Sequence, residues 1–314
     1  MNRREFLKYI LKMGSGALCF GLTPWTSWAE SLDAQQNTEG MLRKFIPSSG
    51  EQIPVIGMGT WQTFDVGNNT ALRDARTQVL RRFFEMGGGM IDSSPMYGSA
   101  EDVIGYGLNK LGSTNNLFSA SKVWTMFKKG GPEQFQDSQR LWGLKQFDLF
   151  QVHNLLNWED HLKYLNELKQ DGQIRYVGIT TSHGRRHYDF LKLMASQPLD
   201  FIQVTYNIAD REVEEKILPL AADRGIAVIA NRPYQGGRLI NRLERTPLPE
   251  WAKEFDCDNW PQFLLKFIVS HPAVTCTIPA TTQVEHMTEN MQATLGRMPN
   301  AAIRKRMIDW VMGV

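Results

Sequence analysis

Cysteine is scarce in this 314-residue chain: Cys19, Cys257 and Cys276 are the only three, and no CxxC pair occurs. That excludes a disulfide framework, a paired-thiol redox motif and a cysteine-rich zinc site. An excess of one charge is also missing. The 35 basic side chains face 33 acidic ones, a formal net charge of +2, with no clustered basic stripe. A nucleic-acid partner, which calls for such a stripe, is not expected. The most apolar stretch, near the start, is too short and too glycine-rich for the roughly 20 residues of a membrane span. No GxGxxG opens a strand–helix unit, because "IGYGLNKLG" has the wrong spacing and sits inside a helical pattern. A Walker motif, internal repeats and low-complexity segments are absent as well.

What is present is alternation. "MLRKFIPSSGEQIPVIGMGTW" reads as a small hairpin turning at Ser-Ser-Gly, then a first strand ending near Trp61. Short apolar runs follow at "GGMID", "LFSASKV", "FDLFQVH", "IRYVGIT", "DFIQVTY", "GIAVIAN" and "VTCTIPA". Between them lie amphipathic stretches such as "LRDARTQVLRRFFEMG" and "NWEDHLKYLNELKQDG", several closing on Gly as helix C-termini do. Runs without strict polar alternation suit a parallel sheet buried on both faces. Eight such candidates favour a closed (β/α)8 TIM barrel, here with an N-terminal β-hairpin, over a doubly wound sheet. The barrel is expected to occupy residues 41–314. Its longest irregular piece follows the seventh strand and reads as an active-site loop with some helix. "AAIRKRMIDWVMGV" reads as a final amphipathic helix.

Ahead of the barrel stands "NRREFLK", running into "YILKMGSGALCFGL" and ending at "SWA". Paired arginines, a moderately apolar run and small residues before Ala29 resemble a twin-arginine (Tat) export signal. A membrane anchor or an amphipathic helix is the alternative, and the lipoprotein-like "GALC" is a weak match because Leu18 is large. The expected division is a signal over residues 1–29 and a solvated linker over 30–40. Cleavage after Ala29 would leave 31 basic and 32 acidic side chains, a net charge near −1. The Tat machinery is then an expected partner, and the periplasm or another exported location the expected destination.

In an α/β barrel, chemistry gathers at the C-terminal ends of the strands. Asp92 closes "MID", Tyr97 follows in "SSPMYG", Lys122 ends "LFSASK" and His153 ends "FDLFQVH". Each alone has a plain explanation: a helix cap, a loop aromatic, a satisfied core histidine. Lys122 is harder to dismiss, since a lysine ending an apolar strand needs a partner, and Asp92 ends the strand before it.

These four residues, in this order, resemble the catalytic tetrad of the aldo/keto reductase superfamily, with the likeness running from about Leu42 to the C-terminus. The resemblance implies an NAD(P)H-dependent reduction of an aldehyde, ketone or sugar-like carbonyl. Tyr97 would be the general acid, Lys122 the group that lowers its pKa, Asp92 the orienter of Lys122, and His153 the positioner of the carbonyl. It also implies a dinucleotide site. Thr60, Trp61, Asp92 and Gln203 would lie near the nicotinamide. Asn231 would lie under the nicotinamide, and Arg232 with the glycines after it would follow along the pyrophosphate. Ile278, Pro279, Ala280, Thr281, His286, Glu289 and Asn290, in "TIPATTQVEHMTEN", would hold the adenosine end.

There are departures. Family members often stack an aromatic under the nicotinamide where this chain has Asn231, so Tyr234 would take over the stacking or Asn231 would hold the ring by another contact. NADP(H)-selective members commonly carry a lysine and an arginine where this chain has Ala280 and His286. The expectation is therefore only a modest preference for NADP(H) over NAD(H). A nucleotide-binding regulatory or sensor barrel with slow turnover is the alternative function. "HGRRH" (His183 to His187) could set two imidazoles on one helix face, but no third metal ligand is found, and a solvated helix start is the preferred reading.

Overall fold

The structure is a computed structural model that describes residues 40–112 and 116–314. The expected signal, residues 1–29, and linker residues 30–39 lie outside the described residues.

The hairpin forms where the sequence places Ser-Ser-Gly. Strand β1 (Arg43–Phe45) pairs antiparallel with β2 (Gln52–Pro54). The N–H groups of Ser49 and Gly50 close the turn on the Ile46 carbonyl at 3.2 and 2.8 Å. Eight parallel strands follow: β3 (Met58–Gly59), β4 (Met90–Asp92), β5 (Phe118–Val123), β6 (Phe147–Val152), β7 (Ile174–Thr180), β8 (Phe201–Thr205), β9 (Ala227–Asn231) and β10 (Cys276–Thr277). Each pairs with the next in chain order. A parallel bridge from Ile56 to Thr277 closes the ring. The Thr277 N–H donates to the Val55 carbonyl at 2.9 Å, and the Gly57 N–H to the Thr277 carbonyl at 2.9 Å.

The connections are helical: α1 (Thr70–Glu85), α2 (Ala100–Leu111), α3 (Gly130–Trp142), α4 (Trp158–Gln170), α5 (His187–Ser196), α6 (Ile217–Arg224), α7 (Arg238–Leu243), α8 (Trp260–Val269), α9 (Val284–Gln292) and α10 (Ala301–Gly313). Asparagine starts several of them. The side chains of Asn69, Asn259 and Asn300 accept N–H bonds from Leu72, Gln262 and Ile303, each satisfying a donor that the first turn would leave unpaired. Gly143 and Gly225 end α3 and α6 with φ of 70° and 64°, the left-handed geometry that glycine takes without cost. Among the described residues no helix is long and apolar enough to cross a membrane.

Two cores result, and the period of two along each strand divides them. Ile91, Val123, Phe150 and Val152 face outward into the layer between sheet and helices. Met90, Phe118, Ala120, Leu149, Phe201, Ala227 and Ile229 face inward, and Ile46 and Ile53 of the hairpin join them as the floor. The same parity carries upward. Two residues beyond Met90 is Asp92; beyond Ala120, Lys122; beyond Leu149, Gln151; beyond Phe201, Gln203; beyond Ile229, Asn231. The barrel interior is thus apolar below and polar at its C-terminal end.

Candidate active site

The polar end is built around one carboxylate. Asp92 is 2% exposed, and Lys122, fully buried on the next strand, donates to its Oδ2 at 2.6 Å. Lys122 Nζ also donates to the Ser93 carbonyl at 2.7 Å. The other oxygen, Oδ1, accepts from Gln203 Nε2 at 2.9 Å and Gln151 Nε2 at 3.3 Å. A lysine without water must find acceptors of this kind, and three strands supply the groups that hold its partner still. Burial alone would lower the pKa of Lys122, but the Asp92 carboxylate, Tyr97 and the Glu101 carboxyl together hold it above its ordinary value. Lys122 is therefore a fixed cation.

Tyr97 rests over that cation, with Lys122 Nζ 5.2 Å from the centre of its ring. The segment Ser-Ser-Pro-Met-Tyr presents it. Ser94 and Pro95 open a turn closed by the Tyr97 N–H on the Ser94 carbonyl at 2.9 Å, with proline at the position where its fixed φ suits a turn. Burial pushes the phenol above its ordinary pKa; the Lys122 ammonium pulls it back and the Asp92 carboxylate adds to the rise. Lys122 thus acts on the phenol in the expected direction, although the net shift is upward. Desolvation outweighs the cation, because removing water costs a phenolate more than one neighbouring charge returns.

His153 meets Tyr97 edge to face, with ring centres 5.8 Å apart and planes at 86°. Its Nδ1 lies 2.9 Å from the Ser94 hydroxyl. Burial, with Lys122 adding to it, pushes its pKa down to about 3, so the ring is neutral at physiological pH. A proton donor, a buried cation and a neutral imidazole thus share one small space at the end of the barrel.

The remaining sequence-predicted residues spread from this point across the same end of the barrel. Thr60 is buried, and its hydroxyl lies 2.9 Å from both the Asp92 carbonyl and the Ser93 hydroxyl; Trp61 beside it is 41% exposed. The Asn231 amide donates to the Thr181 carbonyl at 3.1 Å, and its oxygen accepts from the Thr205 hydroxyl at 2.8 Å. The Tyr234 hydroxyl donates to Asn290 Oδ1 at 2.6 Å, tying the loop after β9 to α9. Ile278, Pro279 and Thr281 are buried, Ala280 and His286 exposed, and Glu289 half-buried. Thr281 accepts from the Gln283 N–H at 3.1 Å, just ahead of α9. The two histidines of "HGRRH" turn to separate partners, His183 to the Ser182 hydroxyl and His187 to Glu212.

A dinucleotide fits this surface on the chemistry of its donors. The Arg232 guanidinium, half-buried, donates to no acceptor among the described residues; neither does Arg238, whose charge depresses the pKa of Arg232 after burial itself. Two adjacent cations without carboxylate bonds are a poor arrangement for an isolated protein and a good one for a pyrophosphate. The Gly236 N–H between them is also uncommitted, and nothing but Arg232 comes within 4 Å of where its Cβ would stand.

Sequence reasoning missed four contributors. Ser94 and Gln151 touch His153 and Asp92 directly. Ser93 lends Lys122 its carbonyl. Glu101 lies behind Lys122, its carboxyl taking the hydroxyls of Ser121 and Ser138 and the Trp142 indole N–H at 2.6 to 3.1 Å. Burial raises the Glu101 pKa against those bonds. The strand parity that Lys122 shares with the inward-facing residues also marks Gln151, and would have found it.

The chain matches the model of the Aldo/keto reductase family over residues 55–305. It is 27% identical to the methylglyoxal reductase YeaE of Escherichia coli strain K12, over 80% of this chain and 89% of that protein. An NADH-specific methylglyoxal reductase of the same organism is 26% identical, over 63% of this chain and 69% of its own length. An aldo/keto reductase of Klebsiella pneumoniae, solved in complex with NADP and acetate, shares the fold at a TM-score of 0.68 and 22% identity, covering 83% of this chain and 93% of that one. A barrel whose catalytic end assembles Asp92, Tyr97, Lys122 and His153, matched by that model over most of its length, belongs to the aldo/keto reductase family.

Proposed function

We propose that this NAD(P)H-dependent reductase acts on small, unhindered carbonyl compounds, 2-oxoaldehydes such as methylglyoxal among them, and that it works outside the cytoplasm. The observation that carries the reading is the fully buried Lys122–Asp92 pair set beneath Tyr97. A nicotinamide dinucleotide, when bound, supplies the hydride. The chain supplies everything else. Tyr97 passes its phenolic proton to the carbonyl oxygen as charge develops there, which is favourable even for a phenol of raised pKa, because an alkoxide is far more basic than a phenolate. Lys122 stabilises the phenolate left behind, and Asp92 keeps that ammonium from turning away. His153, neutral, orients the carbonyl oxygen by a hydrogen bond rather than by charge.

The residues that would hold the cofactor support a modest preference for NADP(H). Ala280 brings no charge to the adenosine end and His286 brings one only when protonated, whereas Arg232 and Arg238 suit the pyrophosphate of either dinucleotide. Binding in the cytoplasm before export of the folded barrel is what the paired Arg3 and Arg4 imply.

One set of assays tests these points. The full chain should oxidise NADPH in the presence of methylglyoxal, followed by loss of reduced-nicotinamide absorbance, with NADH serving less well by about tenfold or less. No turnover with any of a panel of aldehydes and ketones would leave the slow regulatory barrel as the better reading. Changing Arg3 and Arg4 together to lysine should retain the folded protein in the cytoplasmic fraction; undiminished export would refute the Tat reading.

A further inference from the structure

We propose that Ser94 is a positioning residue for carbonyl reduction: its hydroxyl hydrogen, donated to His153 Nδ1, fixes the imidazole tautomer that presents Nε2–H to the substrate oxygen. The proposal rests on the reductase reading above.

Ser94 is fully buried, and its oxygen lies 2.9 Å from His153 Nδ1. That same oxygen accepts the Met96 N–H at 3.3 Å. A hydroxyl has one hydrogen to give, and among the described residues Nδ1 is its only acceptor. With Nδ1 accepting, every group in the contact is paired. The opposite tautomer could place its Nδ1 hydrogen on the second lone pair of the Ser94 oxygen, but it would strand the serine hydrogen in a dry interior, the costly outcome for a buried donor.

The far nitrogen completes the picture. His153 Nε2 makes no hydrogen bond to any described residue, yet it is not among the enclosed atoms left without a partner. It is therefore not sealed in the interior, and its ring meets that of Tyr97 edge to face. Because burial and Lys122 keep the ring neutral, the tautomer decides whether Nε2 is a donor or an acceptor. An acceptor there would repel a carbonyl oxygen; a donor holds it. The turn that carries Ser94 also carries Tyr97, so the proton donor and the setter of the second hydrogen bond move as one unit.

The test uses the full chain labelled with 15N at histidine. Long-range proton–nitrogen spectra should show His153 Nδ1 at the unprotonated imidazole position and Nε2 at the protonated one. Ser94→Ala should shift both toward a mixture and lower kcat/KM for methylglyoxal by about tenfold, with cofactor affinity unchanged. Ser94→Thr, which keeps the hydroxyl, should restore both. An Nδ1–H tautomer in the wild type overturns the proposal. So does a Ser94→Ala protein that loses stability while keeping the wild-type tautomer and kcat/KM, since Ser94 would then serve only the turn. A wild type with the expected tautomer that reduces no carbonyl sinks the reductase reading and the catalytic half of this proposal, while the tautomer assignment stands.

Discussion

At the scale of single residues, the site is a problem of keeping a charge where water cannot reach. Lys122 keeps its proton because Asp92 answers it at 2.6 Å and because Gln151 and Gln203 steady the other carboxylate oxygen. Asp92→Asn removes the charge and keeps the shape, leaving a buried ammonium facing neutral groups. Breaking one half of a buried pair costs about 3–5 kcal/mol. Chemical denaturation should show a loss of that size, together with a lowered Lys122 pKa that deprives the Tyr97 phenolate of its counter-charge. A variant as stable as the wild type would mean that the two amide donors, Gln151 and Gln203, and not the charge, hold the strand ends together. Lys122 and Asp92 were legible in the sequence because a lysine ending an apolar run is conspicuous. Ser94 was not, because serine before proline is ordinary turn chemistry and its second bond reaches a residue 59 positions away. The direction of the Tyr97 shift was also hidden, since burial is a property of the closed barrel and not of the local sequence.

At the scale of elements, strand parity does the positioning. Phe118, Ala120 and Lys122 share a side of β5, as Leu149 and Gln151 share a side of β6, so one register sets both the apolar filling and the polar crown. The eight strands and the hairpin could be read from apolar runs and turn residues. The brevity of β3 and β10 could not, since their ring is completed by a single bridge and by loop bonds that depend on closure. Gly178 on β7 shows how tight the register is. A Cβ there would stand 2.9 Å from the Phe201 carbonyl oxygen and 3.0 Å from Gln151 Cγ. Gly178→Ala should destabilise the protein by about 1–3 kcal/mol and reduce turnover, because the side chain it displaces is one that holds Asp92. A thermal melt and a steady-state assay on the purified variant check both halves; full activity alongside reduced stability would show that Gln151 is dispensable to the pair.

At the scale of the whole molecule, two histidines, the buried His153 and the half-buried His271, tie stability to pH. Burial holds both His153 and His271 down to about 3, in each case with a neighbouring cation adding to the effect. In the unfolded chain each takes up a proton as pH falls through about 6.5, whereas the native fold resists until about 3. The unfolded state therefore binds more protons over that window, and stability declines as pH is lowered through it, by up to about 1.4 kcal/mol per pH unit for each histidine. Asp256, which Arg297 holds at about 2, adds its own loss only below its ordinary range near 3.8. Urea unfolding at pH 7.5, 6 and 5 should show a steady fall, and His271→Gln should make that fall shallower; a flat profile would mean that one or both rings are charged in the native state.

The central claim is that Tyr97 delivers the proton at a site otherwise complete without its hydroxyl. Tyr97→Phe removes that single oxygen and leaves Lys122, Asp92, His153 and the dinucleotide surface in place. The measurement is carbonyl reduction by this variant, paired with cofactor binding followed by fluorescence quenching. The account predicts binding within about twofold of the wild type and turnover lower by about 10²–10⁴-fold. Reduction at a near-normal rate would contradict it.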